Sequence, residues 1–195
     1  FSLLPRKFKV AVIASENDRD AMQWHDIGLH LKRAAAGRLV FAVYVGGGMG
    51  RTPLIAKQIR DDLPEEDVLS YLEAILRLYN LYGRRDNKFK ARIKILVHDI
   101  GAEAFAAQVE EEWARIRDGV LKLPAAEIAR INAYFAPPAF DRAPVKVSLR
   151  PAGRAFDRWV TRNTHPHKQP GYAIVTISLK TIGAVPGDAS AGQME

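Results

Sequence analysis

The chain has 195 residues, enough for one large domain or for one domain with part of another, and 48% of them are apolar, so a disordered or fibrous chain is excluded. No apolar run approaches the length of a membrane span and the start does not resemble a signal peptide, so we expect a cytoplasmic protein. The absence of cysteine excludes disulfides and thiolate metal sites within these residues, while 29 basic against 22 acidic residues favour an anionic partner.

Three strands are predicted in the first 45 residues. The segment 6–14 begins with alternation and becomes nearly all apolar, as a strand does when it enters a covered sheet. The segment 27–31 alternates apolar residues with polar or small ones and predicts a second strand. The run 39–45 is rich in β-branched and aromatic residues, so it predicts a third strand, antiparallel to the second, that ends at the glycines 46–48.

Helices are predicted next. Pro64 and the acids that follow it begin a helix whose apolar residues repeat at helical spacing as far as Gly83. A second helix is predicted around 88–98, and a shorter one around 128–131. Between them an apolar stripe with a period near 3.6 predicts a further helix; its residues are Phe105, Val109, Trp113 and Ile116.

The last fifty residues return to a period of two. Alternation at 145–149 and again at 173–179 predicts strands of a second sheet, and the polar, basic segment 151–170 between them indicates a domain junction. Residues 190–193 have the form of a capping box, so a helix is expected to start at about residue 190. Because the sequence stops at Glu195, too soon for a helix of useful length, we expect a truncated piece of a longer polypeptide.

Two lysines on the first predicted strand are candidates for an anion site. Lys7 and Lys9 lie two residues apart, so their side chains leave the same face about 6.6 Å apart along the backbone. Two parallel ammonium groups repel unless an anion lies between or in front of them. The alternative, which the residues alone favour, is an exposed edge strand that its lysines protect from pairing with other chains.

The glycine-rich loop 46–53 (GGGMGRTP) offers main-chain N–H groups to a large flat or anionic ligand. It fails both phosphate-binding signatures: a Walker A loop would have Gly-Lys-Ser/Thr where Arg51 and Thr52 stand, and the dinucleotide fingerprint would need glycine at Arg51. A structural turn is the alternative. The basic segment 84–94 is a further anion-site candidate, and its alternative is a solvated helix face.

Three segments together resemble one family. They are 4–9 (LPRKFK), 46–53 and 84–94 (RRDNKFKARIK), and together they are similar to the middle of the siroheme-dependent sulfite and nitrite reductases. The likeness includes 25–28 (HDIG) and the YAIVTISLK segment at 172–180.

The resemblance implies a fold and a division of the chain. The expected fold is α/β (α+β), with a mixed sheet covered by helices. Residues 1–143 would form the siroheme-binding lobe, and residues 144–195 the junction and the truncated start of a ferredoxin-like half-domain.

The resemblance also implies a reaction and a set of site residues. The intact enzyme would carry out the multi-electron reduction of sulfite to sulfide or of nitrite to ammonia, with siroheme as cofactor. Lys7 and Lys9 would be the catalytic residues that bind the anion and assist proton delivery. The residues expected to bind siroheme are Gly46, Gly47, Gly48, Arg51, Lys88 and Arg92.

The family's 4Fe-4S cluster is bound through four cysteines, so its ligands are expected outside these residues. The fragment alone should then be inactive and hold siroheme weakly or not at all. Its expected partners are sulfite or nitrite and an electron donor such as ferredoxin or a flavoprotein reductase, without a membrane. The alternative is a basic module that binds nucleic acid or a nucleotide phosphate without redox chemistry, although no nucleic-acid motif is found.

Overall fold

The computed structural model describes residues 3–140, 153–179, 183, 185 and 187–194. The chain divides into two compact units, Phe1–Ala136 and Pro137–Glu195. The identities expected for the two parts of the chain, a siroheme lobe and a ferredoxin-like half-domain, stay predictions. No helix among the described residues is both long enough and apolar enough to cross a membrane.

The first unit contains a four-stranded mixed sheet in the order β1-β2-β3-β4. Its strands are β1 (Val10–Ile13), β2 (Ile27–Arg33), β3 (Leu39–Val45) and β4 (Lys57–Pro64). β1 runs parallel to β2, whereas β2–β3 and β3–β4 are antiparallel. The predicted second and third strands and their antiparallel pairing are therefore confirmed, as is the mixed α/β fold class.

Two strands of the sheet differ from what the sequence predicted. The first strand begins at Val10 and not at residue 6, because the Lys9 N–H bonds to the Asp26 carboxylate at 2.9 Å. Lys7 and Lys9 thus precede the strand. β4 was not predicted, because its charged residues are mostly exposed at the edge of the sheet and only Leu63 is fully buried.

Four helices complete the first unit. They are α1 (Val68–Tyr82), α2 (Ile93–Ile100), α3 (Ala102–Ile116) and α4 (Ala125–Tyr134). A short 3-10 turn, Glu65–Asp67, precedes α1 and holds the acids predicted at the helix start. The helix predicted around 88–98 begins only at Ile93, because the preceding chain turns at Asn87, whose side chain accepts a bond from the Phe89 N–H.

The core lies between one face of the sheet and the helices. The predicted stripe on α3 is confirmed, with Phe105, Val109 and Trp113 buried. They pack in one cluster with residues of the sheet and of α1, among them Ile27, Val43, Val45, Leu63, Tyr71 and Ile75. The cluster fixes the sheet against α1 and α3, and thereby fixes the loops that leave the strands.

The second unit contains α5 (Arg154–Asn163), a hairpin of β5 (Thr164–Pro166) and β6 (Ala173–Val175), and α6 (Ala191–Met194). The segment 151–170 is not only a polar connection, because it contains α5, in which apolar residues lie at helical spacing, and β5. Its role as a domain junction stays a prediction. The strand predicted over 173–179 is limited to β6, and the one at 145–149 lies outside the described residues. The helix expected at about residue 190 is confirmed by α6.

Candidate cofactor and anion site

A cavity of about 620 Å³ opens in the first unit where three segments meet. These segments are the chain before β1, the loop after β3 and the approach to α2. Six cations and no carboxylate line it within the described residues; the cations are Arg6, Arg51, Lys88, Lys90, Arg92 and Lys94. Such a wall favours an anionic ligand, because a bound anion reduces the repulsion between neighbouring cations.

Close packing requires glycine at two positions of the glycine-rich loop. A side chain at Gly47 would place its Cβ 2.2 Å from the carbonyl oxygen of Gln23, so only glycine fits there. Gly46 has a φ of +92°, and a Cβ would lie 3.0 Å from the Val97 side chain. None of the three predicted glycines, Gly46, Gly47 and Gly48, is among the residues that line the cavity. Their predicted contact with the macrocycle stays a prediction, while the packing of Gly46 and Gly47 explains why glycine is needed at those two positions.

A fully buried carboxylate joins two predicted site residues. The Asp26 carboxylate accepts the Arg92 Nε–H at 2.8 Å and a second, shorter bond from Arg92 Nη2. It also accepts the Lys9 N–H at 2.9 Å. Since the Ile27 N–H bonds the Lys9 carbonyl at 3.1 Å, the backbone at Lys9 is fixed on both sides. Arg92 reaches the cavity already paired, with a quarter of its side chain exposed.

The two predicted catalytic lysines lie outside the cavity wall. Lys7 and Lys9 are exposed, and Phe8 between them packs against the core. Because alternate residues of an extended chain point to opposite sides, both lysines face away from the core. Their neighbour Arg6 does line the cavity, and its Nη1 donates to the Lys88 carbonyl at 2.7 Å.

Tyr79 connects the segment before β1 to the segment before α2. Its hydroxyl lies 3.0 Å from the Arg6 carbonyl oxygen and 2.8 Å from that of Ala91. The ring is fully buried, and burial raises the pKa of the hydroxyl above its usual value. A neutral tyrosine therefore holds the Arg6 and Ala91 backbones close to each other.

Lys94 was not singled out from the sequence. It lies in the first turn of α2, where it is 7% exposed. Its ammonium group lies within hydrogen-bonding distance of three carbonyl oxygens, those of Gly48, Met49 and Thr52. Burial lowers the pKa of Lys94, and the nearby Arg92 lowers it further while Asp26 opposes both. The sequence indicated Lys94 only as the last residue of the basic segment 84–94.

Three of the predicted cofactor residues therefore meet in one place. Arg51, Lys88 and Arg92 all line the cavity, together with the unpredicted Lys90. Arg51, Lys88 and Lys90 form no salt bridge within the part of the chain that the structure describes. These unpaired cations give the cavity its capacity for carboxylates.

Comparison with known families decides the relationship. A family described as "Nitrite and sulphite reductase 4Fe-4S domain" matches residues 1–117, which include all three segments of the cavity. The chain belongs to this family. The resemblance found in the sequence is thereby confirmed.

Three proteins that are similar to this chain agree with this placement. Sulfite reductase [ferredoxin] of Synechococcus elongatus is 38% identical over 128 residues, which cover 62% of this chain and 20% of the relative. The sulfite reductase [NADPH] hemoprotein beta-component of Shewanella sediminis is 39% identical over 116 residues, which cover 55% and 20%. The structure of the Mycobacterium tuberculosis NirA protein matches with a TM-score of 0.54 and 27% identity, over 64% of this chain and 22% of that one. The chain thus spans about a fifth of the length of these relatives.

The residues present do not fit an iron–sulfur cluster, although the family is named for one. The 195 residues contain no cysteine to supply a thiolate. Among the described residues, no three His, Asp or Glu side chains lie close enough together to hold a metal ion. The cavity, by contrast, offers cations that can pair with the carboxylates of an anionic ligand.

Proposed function

We propose that this chain forms part of the siroheme pocket and the substrate-anion site of a sulfite or nitrite reductase. The observation that carries the proposal is the cavity with six cations and no carboxylate, built from the segments within the family match. The relatives' names specify sulfite as substrate and ferredoxin or NADPH as electron source. A ferredoxin or flavoprotein donor and a cytoplasmic location belong to the same proposal.

The cations of the cavity would hold the carboxylates of siroheme. Arg51 and Lys88 are the strongest candidates, because each lines the cavity without a salt bridge in the described residues. Arg92 is already bonded to Asp26, so its role is to keep a positive edge in a fixed orientation. Siroheme, when bound, supplies the redox-active iron for a multi-electron reduction.

The lysines of the opening segment would handle the anion and its protons. Lys7 and Lys9 carry exposed ammonium groups next to Arg6, which lines the cavity. An ammonium group can bind an oxyanion and then donate a proton to an oxygen that leaves as water. The fixed backbone at Lys9 limits where its ammonium can reach. The match to a reductase family gives no support to a basic module without redox chemistry.

The decisive experiment measures turnover and cofactor content separately in the intact enzyme. Lys7→Ala and Lys9→Ala should each lower sulfite or nitrite turnover by about 100-fold, the lower end of what a general acid contributes. Siroheme absorbance should stay unchanged, because neither lysine lines the cavity. Arg38→Ala is the matched control: this exposed cation lies outside the cavity wall and should leave both readouts unchanged.

Unchanged turnover in both lysine variants would refute the catalytic assignment. Loss of siroheme absorbance in Arg51→Ala and Lys88→Ala, compared with Arg38→Ala, tests the cofactor assignment by itself.

A further inference from the structure

Lys94 is a cation of the cavity wall whose N–H donors point to backbone carbonyl groups. The ammonium group of Lys94 lies 3.2 Å from the Gly48 carbonyl oxygen, 3.2 Å from that of Met49 and 2.5 Å from that of Thr52. A lysine ammonium has three N–H donors, so these carbonyls can take all of them. A lysine is rarely buried unless its donors are satisfied in this way. Lys94 therefore differs from its neighbours Lys88 and Lys90, whose ammonium groups donate no hydrogen bond to any residue that the structure describes.

The loop that receives these bonds has little other support. One pair of backbone hydrogen bonds closes it, between Gly48 and Leu54, at 2.9 and 3.0 Å. Residues 49–52 between them are exposed. The stem of Lys94 also packs against the loop, since a Cβ on Gly48 would lie 3.0 Å from Lys94 Cδ. The path of this loop therefore depends on Lys94.

The loop carries Arg51 to the cavity. Arg51 lines the cavity and lies between two of the carbonyl groups that Lys94 binds, those of Met49 and Thr52. Fixing the backbone on both sides of Arg51 restricts the directions in which its side chain can leave the loop. A restricted cation loses less conformational entropy on binding an anion than a free one.

We propose that Lys94 is a positioning residue, which anchors the loop 48–52 to the first turn of α2 and so presents Arg51 to the ligand of the cavity. Lys94 acts through Arg51 and not by contact with the ligand. The part concerning the ligand rests on the proposed siroheme function. The anchoring of the loop does not rest on it.

Hydrogen–deuterium exchange on the 195-residue chain tests the anchor without any ligand. Lys94→Met keeps the length of the stem and removes the donors, so the amides of Gly48 and Leu54 should exchange at least about tenfold faster, since loss of satisfied bonds to a charged group favours local opening. Amides in β2 and β3 should keep their protection. Lys94→Arg, which retains a cation with several donors, should restore much of the protection of the loop.

Two controls keep this test decisive. Lys88→Met removes another cation of the cavity wall and should leave the loop amides unchanged. If Lys94→Met loses protection throughout the sheet, Lys94→Gln, which retains an N–H donor, replaces it. Unchanged exchange of the Gly48 and Leu54 amides in a folded variant would overturn the proposal.

A double-mutant cycle with siroheme as the probe tests the link to Arg51 in the intact enzyme. Arg51→Ala and Lys94→Met should each weaken siroheme binding, and the double variant should bind no more weakly than Arg51→Ala. Multiplied effects of the two substitutions would instead show that Lys94 contacts the ligand itself. If siroheme binds neither the parent nor the variants, the proposed function fails while the exchange result still decides whether Lys94 anchors the loop.

Discussion

Two helices with similar sequence patterns show how the two units of the chain differ. α3 in the first unit and α5 in the second each carry apolar residues at helical spacing. Phe105 of α3 is fully buried against α1 and the sheet. Phe156 of α5 stacks on Trp159, with ring centroids 6.2 Å apart, and stays 36% exposed. Apolar residues at helical spacing thus occur in both helices, whereas burial requires a partner surface that only the first unit supplies among the described residues.

The two units also differ in the burial and pairing of their charged side chains. The first unit holds a carboxylate, Asp26, that is fully buried and bonded to Arg92. The described residues of the second unit contain no buried side chain, and three arginines of α5 form no salt bridge there; they are Arg154, Arg158 and Arg162. The family match ends at residue 117, within the first unit. The interactions that specify one structure are therefore concentrated in the first unit.

The largest expected effect comes from truncating the two phenylalanines. Phe105→Ala should lower the free energy of unfolding by about 3–5 kcal/mol, because it removes a buried ring and leaves a cavity. Phe156→Ala should cost about 1 kcal/mol or less, since its ring is partly solvated already. Urea unfolding of the two variants and the parent measures the difference. Equal losses would break the contrast between the units.

A second comparison concerns charge within the first unit. Asp26→Ala should cost about 3 kcal/mol at neutral pH, because it leaves the Arg92 guanidinium and the Lys9 N–H without their acceptor. Asp61→Ala is the matched control: it removes an exposed carboxylate, paired with Lys32, and should cost about 1 kcal/mol at most. A loss at Asp61 as large as that at Asp26 would show that burial does not set the strength of these pairs. Urea unfolding again provides the measurement.

The elements that could be predicted from the sequence are those with one buried face. β3 has the predicted bounds, and α1 and α3 have the predicted apolar stripes, because the covered side selects apolar residues at the period of the element. β4 lacked this signal, since charged residues occupy most of an exposed edge. A helix was predicted from about residue 88, but the turn at Asn87 and the bond from Arg6 to the Lys88 carbonyl keep the chain before Ile93 out of α2.

Part of the candidate site was predictable from the sequence. Arg51, Lys88 and Arg92 were assigned from a family resemblance, and they do meet at one cavity. Asp26 and Lys94 were missed as site residues, because their roles arise from partners 66 and 46 positions away along the chain. A local pattern cannot show such a pairing, which depends on how β2, the loop after β3 and α2 pack together.

The smallest expected effect is an alkaline loss of stability that originates in the fully buried Tyr71 of the first unit. The Tyr71 hydroxyl donates to Glu110 Oε1 at 2.8 Å. Burial raises the pKa of Tyr71 far above its usual value, and the Glu110 carboxylate raises it further. The unfolded chain loses this proton near pH 10, whereas the folded chain keeps it, so the stabilisation is complete below pH 10 and declines as the pH rises.

Urea unfolding between pH 9 and pH 11 measures this decline. Each such tyrosine should contribute a slope of about 1.4 kcal/mol per pH unit above about pH 10. Tyr71→Phe should remove one such contribution, and Glu110→Gln should reduce it, because the carboxylate is only the second cause of the raised pKa. Identical slopes in the parent and in Tyr71→Phe would mean that Tyr71 ionises alike in both states. Burial of Tyr71 in the first unit would then not affect the dependence of stability on pH.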